Sequence, residues 1–178
     1  MPDAGAIDQQ HIAAWQGGRL VPCDKLAVHR LGLKHPAVSV FLMAGSQTLL
    51  QRRALGKYHT PGLWANSCCT HPLWQESTRD CAIRRLREEL GLESIDPVSV
   101  GQVEYRADVG GGMTEHEEVE IFRADISADL TIRPNPAEVM EVRWVELAEL
   151  ASLIAAAPDS YTPWLRIYLA EHAGRIFA

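Results

Sequence analysis

The run Ser77-Thr78-Arg79-Asp80-Cys81-Ala82-Ile83-Arg84-Arg85-Leu86-Arg87-Glu88-Glu89-Leu90-Gly91 carries both ends and the buried face of a helix. Ser77 with Asp80 three residues on has the form of a capping box, which satisfies backbone N–H groups that a first helical turn leaves without partners. Ile83, Leu86 and Leu90 recur at helical spacing, and Gly91 suits the left-handed residue that follows a last turn. The spacing predicts a helix from Ser77 to Leu90. Arg84 with Glu88, and Arg85 with Glu89, are four apart and share faces, so stabilising ion pairs account for them at this level.

Upstream, Ala37 to Met43 and Thr48 to Arg52 flank Ala44-Gly45-Ser46-Gln47, the pattern of two strands joined by a tight turn. Downstream, Val98 to Ala107 and Glu115 to Ala124 read as strands around Gly110 to Gly112, and Glu141 to Val145 as a shorter one. Leu147 to Ala157 and Trp164 to Ile176 read as helices, separated by a loop punctuated by Pro158 and Pro163. Strands and helices mix without regular βαβ alternation. The expected fold is therefore an α/β (α+β) domain, a mixed sheet layered with helices.

The chain has 178 residues, 47% of them hydrophobic, which suffices for one domain with a sizeable core. That domain is expected over 11–178, after a flexible N-terminus at 1–10. A net charge of −6 argues against broad attraction to nucleic acid or an anionic membrane, and no obligate protein partner is implied. No basic start, signal-like apolar run or bilayer-length segment is apparent, so a cytoplasmic location is expected. Cys23, Cys68, Cys69 and Cys81 form no CxxC pair and are expected to be free thiols.

Glu115 and Glu117 alternate onto the strand face that continues with Val119 and Ile121. Carboxylates on a core-facing row need a cation, hydrogen bonds or a raised pKa. A solvated acidic edge strand would show the same local pattern, and both readings stay open at this point. His29, His35 and His71 precede this strand, and imidazole with carboxylate suits Zn, Mn or Fe, although their spacing alone is no metal signature. Arg52, Arg53 and Lys57, with Lys25 upstream, form a local basic group suited to a diphosphate, or else a solubilising loop.

Set against the Nudix box, Glu76, Arg84, Glu88, Glu89 and Gly91 match, while Thr70 stands in place of its glycine and Arg85 in place of a glutamate. The box gathers helix carboxylates around Mg²⁺ that holds a diphosphate, so a cation at Arg85 weakens a hydrolytic metal cluster and supplies a phosphate contact. The segments Arg52-Arg53-Ala54-Leu55, Pro61-Gly62-Leu63-Trp64-Ala65-Asn66-Ser67-Cys68-Cys69-Thr70-His71-Pro72, Tyr105-Arg106-Ala107 and Glu115-His116-Glu117 resemble the type I isopentenyl-diphosphate isomerase family, from Lys25 to Trp164. The interval from His29 to His35 is one residue shorter than that family's pattern.

The resemblance implies interconversion of isopentenyl and dimethylallyl diphosphate in isoprenoid biosynthesis, through protonation and deprotonation of an alkene by way of a carbocation. It implies Cys69 and Glu117 as the acid/base pair with Tyr105 beside the glutamate. His29, His35, His71, Glu115 and Glu117 would bind one Mn²⁺, Zn²⁺ or Mg²⁺, and Glu89 would help hold Mg²⁺ arriving with the substrate. Lys25, Arg53, Lys57 and Arg85 would contact the diphosphate, and Trp164 would line the hydrocarbon end. Cys68 would point away from Cys69 in an extended segment. The acid/base pair is expected across a dry pocket that just accommodates a five-carbon olefin. Two rivals share the fold: a Nudix pyrophosphohydrolase, and a non-catalytic metal- or nucleotide-binding domain.

Overall fold

The computed structural model describes residues 11–178; the expectation of flexibility at 1–10 lies outside them. A hairpin of β1 (His11–Gln16) and β2 (Arg19–Asp24) leads into α1 (Lys25–Leu31). Next come β3 (Lys34–Ala44), β4 (Gln47–Arg53), β5 (Trp64–Ala65), β6 (Cys68–Thr70) and α2 (Thr78–Leu90). The chain continues through β7 (Val98–Gly110), β8 (Met113–Asp125), β9 (Val139–Glu146) and α3 (Leu147–Ala156). A 3₁₀ turn at Pro158–Ser160 precedes α4 (Pro163–Ile167), a π-type segment at Tyr168–His172, and α5 (Ala173–Ile176).

Ser77 caps α2 as its sequence implies: its Oγ accepts the Asp80 N–H at 3.1 Å and donates to the Asp80 carboxylate at 2.7 Å. Gly91 ends the helix at φ 65°, where an added Cβ would stand 2.9 Å from the Arg133 backbone oxygen. Glycine is required there on both counts.

Seven strands form one mixed sheet in the order β5-β4-β3-β8-β7, with β6 on β3 and β9 on β4. The expected β3–β4 hairpin is present but pairs for only Met43 with Thr48 and Ala44 with Gln47. Beyond that turn the strands part, and β6 pairs with β3 from Val38 to Val40. Strand β8 runs parallel to β3 and antiparallel to β7, so it is interior. This removes the acidic-edge reading of Glu115 and Glu117, which are 3% and 5% exposed.

Helix α2 covers one sheet face, burying Cys81, Ala82, Leu86 and Leu90 against Val38, Val40, Leu42 and Phe122. Across the sheet, Phe41, Val119 and Ile121 pack with Trp164, Leu165 and Tyr168 from the C-terminal segment. That segment was expected as one helix from Trp164 to Ile176; instead the π-type stretch interrupts it. The apolar sequence pattern is compatible with either, since the register change leaves Leu165, Tyr168 and Ile176 buried.

Candidate active site

Register across the sheet assembles the centre. Glu117 on β8 pairs with His35 on β3 and with Tyr105 on β7, while Cys69 on β6 pairs with Ser39 on β3. A two-residue period places Glu115 and Glu117 on the face continued by Val119 and Ile121, so the acidic centre is the polar end of a core row.

His29, His35 and His71 form a triangle of rings with centroids 4.9 to 5.0 Å apart. Potential ligand atoms of these three residues and Glu117 all lie within 4.8 Å of one another. His29 Nδ1 is 2.7 Å from the Lys25 carbonyl and His35 Nδ1 is 2.8 Å from the Leu33 carbonyl. A carbonyl only accepts, so each Nδ1 carries the hydrogen and each Nε2 keeps its lone pair, the tautomer of a metal-binding imidazole. His35 Nε2 and His71 Nδ1 are buried without hydrogen-bond partners, an arrangement costly for isolated nitrogens and natural for ligands. The donor set therefore fits a divalent ion. The shortened interval before His35 does not displace His29, because the left-handed Gly32 after α1 turns the chain back at φ 62°.

Glu117 Oε1 is 2.8 Å from His71 Nε2 and 3.5 Å from His35 Nε2. The Tyr105 hydroxyl lies 2.7 Å from Oε2 of both Glu115 and Glu117. Burial alone would raise the Glu117 carboxyl, but a protonated His35, itself raised by this carboxylate against the penalty of its burial, and the Tyr105 hydroxyl hold it below the usual carboxylate range. A metal ion bound at His35 Nε2 would take the place of that proton. Burial pushes His29 down to about 4 and His71 well below its ordinary value, so both are neutral and able to ligate. Glu115 falls in a second group of potential ligand atoms with His29 and His59, joined to Glu117 through the tyrosine.

The Cys69 thiol donates to Asn66 Oδ1 at 2.8 Å and lies 3.2 Å from Ser39 Oγ, itself 2.9 Å from the Tyr168 hydroxyl. Asn66 Nδ2 donates to the Val40 and Cys68 carbonyls at 3.0 Å, which fixes the amide with its oxygen toward the thiol. Burial raises the thiol strongly, and the nearby Glu117 charge adds to it, so the sulfur holds its proton. Cys68 points into the α2-side core, as expected.

Cys69, Glu117, Tyr105, His71 and Trp164 line one cavity, which Lys25, Arg53, Lys57 and Arg85 also reach. Its inner chamber is only about 30 Å³, room for roughly two waters. The expected pocket sized for a five-carbon arm is thus not preformed, because Tyr58, His59 and Trp164 crowd it. Outside lies a 370 Å³ vestibule shared by Lys25, Lys57, Thr70 and Arg85. Burial, with Lys57 and Arg85 nearby, lowers Lys25 to about 8. The Arg53 guanidinium sits 5.3 Å from the Trp164 ring centroid. Arg52 turns away, to the Gly62 carbonyl at 2.9 Å and Glu141 at 3.8 Å, and does not join the basic group.

Glu89 is buried, accepting from Gln51 at 2.8 Å and Arg85 at 2.5 Å. Sequence reasoning missed Glu138, which pairs with Lys57 and, at 3.2 Å, with Arg85. It also missed His59. Neither stands in a motif; only the cavity brings them to the site.

A NUDIX domain model matches residues 33–165. The chain is 60% identical to the protein named isopentenyl-diphosphate Delta-isomerase of Dinoroseobacter shibae, over 93% of this chain and 94% of that one. The equally named protein of Cereibacter sphaeroides strain ATH 2.4.9 matches at the same identity and coverage. The chain belongs to the isopentenyl-diphosphate Delta-isomerase family. Among solved structures, DR0079 of Deinococcus radiodurans superposes on this member of the isomerase family with a TM-score of 0.72 at 17% identity, covering 94% of this chain and 99% of that one. The MutT protein of Methanosarcina mazei Go1 gives 0.62 at 18%, covering 82% and 96%. At such identities the likeness is one of fold: a family of isomerases is built here on the Nudix scaffold.

Proposed function

We infer that this chain interconverts isopentenyl diphosphate and dimethylallyl diphosphate, with Cys69 and Glu117 as the acid/base pair. The observation that carries the reading is convergence: a protonated thiol, a carboxylate held by imidazoles and a phenol, and a group of basic side chains reach one cavity. Family membership at 60% identity over nearly the whole chain points to the same reaction.

Moving the double bond requires a proton delivered to the terminal alkene carbon and another removed from carbon 2, so the number of protons on the pair is conserved over one turnover. One of Cys69 and Glu117 gives its proton and the other takes one, so the pair ends with the proton on the opposite partner and is reset by proton exchange with solvent before the next turnover. Tyr105 can bridge Glu117 and Glu115 because its single hydroxyl hydrogen faces two carboxylates. Trp164, buried beside His59 and Arg53, presents an aromatic wall to the cationic intermediate, worth up to about 2 kcal/mol when desolvated.

His29, His35, His71, Glu117 and Glu115 would hold one Mn²⁺, Zn²⁺ or Mg²⁺, whose positive charge would fix Glu117 and tune its proton affinity. Glu89 would help hold Mg²⁺ brought by the diphosphate, while Lys25, Arg53, Lys57 and Arg85 grip the phosphates. Binding energy from that grip can offset the shifts of Tyr58, His59 or Trp164 needed to admit the hydrocarbon. The expected cytoplasmic location is part of this reading; no described helix is long and apolar enough to cross a membrane.

Arg85 weighs against the pyrophosphohydrolase reading, since it engages both Glu88 and Glu89 with a guanidinium. Incubation with isopentenyl diphosphate tests the proposal. Dimethylallyl diphosphate without release of phosphate or pyrophosphate supports it, and release of either would overturn it.

A further inference from the structure

We propose that His59 is a positioning residue of the metal centre, holding Glu115 in place and forming part of the chamber wall beside Trp164. The inference rests on the reading of the His/Glu cluster as a divalent-metal site.

His59 is buried, with Nε2 3.1 Å from Glu115 Oε1 and Nδ1 3.0 Å from Thr60 Oγ1. An ionised carboxylate accepts only, so the hydrogen is on Nε2, and Nδ1 takes the hydrogen of the threonine hydroxyl. Thr60 adopts φ 48°, a left-handed conformation that a β-branched residue rarely enters. Such strain persists only where the surroundings enforce it, and here it puts the hydroxyl on His59 Nδ1.

Both ring nitrogens of His59 are engaged, by Glu115 and Thr60, whereas His35 Nε2 and His71 Nδ1 have no hydrogen-bond partner. Potential ligand atoms of His29, His59 and Glu115 lie within 4.8 Å of one another, so proximity alone would admit His59 as a fourth imidazole ligand. An Nε2 that carries a hydrogen toward Glu115 has no lone pair to offer. Its role is to hold Oε1, while Oε2 faces the Tyr105 hydroxyl, whose one hydrogen is shared with Glu117. The same residue reaches the rest of the site: its carbonyl accepts from Arg53 Nη2 at 3.2 Å, and its ring meets Trp164 edge-on at 5.9 Å. One residue thereby links the metal carboxylate and the hydrocarbon wall through its ring, and a phosphate-gripping arginine through its carbonyl.

The test is Mn²⁺ titration of the metal-stripped full-length protein, with pulsed electron paramagnetic resonance counting coordinated imidazole nitrogens. Three variants are compared: His59→Phe keeps a ring without N–H, His59→Gln restores a donor, and Thr60→Val removes only the hydroxyl. The expected result is three nitrogens throughout, a 10- to 100-fold loss of Mn²⁺ affinity in His59→Phe, as is usual for partners of metal ligands, and partial recovery in His59→Gln. Thr60→Val should lose affinity in the same direction without touching the ring. Four nitrogens in the wild type, falling to three in His59→Phe, would make His59 a ligand and overturn the proposal. So would unchanged affinity in both His59→Phe and Thr60→Val. A wild type that binds no Mn²⁺ would instead bring down the underlying metal-site reading, and this inference with it.

Discussion

Helix α2 and strand β8 both present carboxylates near the same cavity, with different counter-groups. On and beside the helix the carboxylates that approach the cavity meet cations: Glu76 is gripped by Arg84 at 2.6 and 2.7 Å, Glu88 by Arg84 and Arg85, Glu89 by Arg85, and Glu138 by Arg85 and Lys57. On β8, Glu115 and Glu117 meet imidazoles and a phenol, and two buried histidine nitrogens have no partner. Guanidinium leaves the helix cluster electrically satisfied. Buried imidazole nitrogens without partners beside a carboxylate make sense around a cation. The difference suggests that the catalytic weight has moved from the helix, where a Nudix box gathers metal, to the β8 centre.

The sharpest way to break that contrast is to remove the β8 acid/base pair. Cys69→Ser and Glu117→Gln should each lower kcat by about 10²- to 10⁴-fold, the scale of a lost general acid or base, while diphosphate binding persists. Retained turnover in either variant would move the chemistry elsewhere. A chelator should act on the same centre. Its expected effects are loss of activity and a melting temperature lower by roughly 5–10 °C, since a site saturated 100-fold above Kd contributes about 2.7 kcal/mol. Equal melting with and without chelator would contradict the metal reading.

Arg85→Gln probes the helix side. It should raise KM for isopentenyl diphosphate by about 10- to 100-fold, matching one lost charge-assisted contact, with a smaller change in kcat. Glu76→Gln is the smallest test. It should cost about 1 kcal/mol in a denaturant titration and leave catalysis unchanged. Burial raises Glu76, but Arg84 and the Leu73 N–H outweigh it and hold the carboxyl below its ordinary 4.5. Its stabilisation is therefore present above pH 4.5 and is lost as pH falls through the lowered value, so the variant's deficit should shrink on acidification.

Much of this was legible in the sequence because several signals were local. Ser77, Leu86, Leu90 and Gly91 announced α2, and the alternation around Glu117 announced a strand with an acidic face. Whether that face was buried was not legible, because only the pairing of β8 between β3 and β7 makes it interior. The two- and three-residue β5 and β6 are too short to show a period, and the Ala-rich β1 reads equally as helix. His59 and Glu138 belong to the site through loop placement alone, which sequence spacing does not encode.

Anomalous diffraction from crystals of the purified, metal-loaded protein tests the central claim most directly. The account predicts a peak at about 2.0–2.2 Å from nitrogens of His29, His35 and His71 and an oxygen of Glu117. A peak confined to Glu76 and the α2 carboxylates Glu88 and Glu89, with none among the histidines, would contradict it.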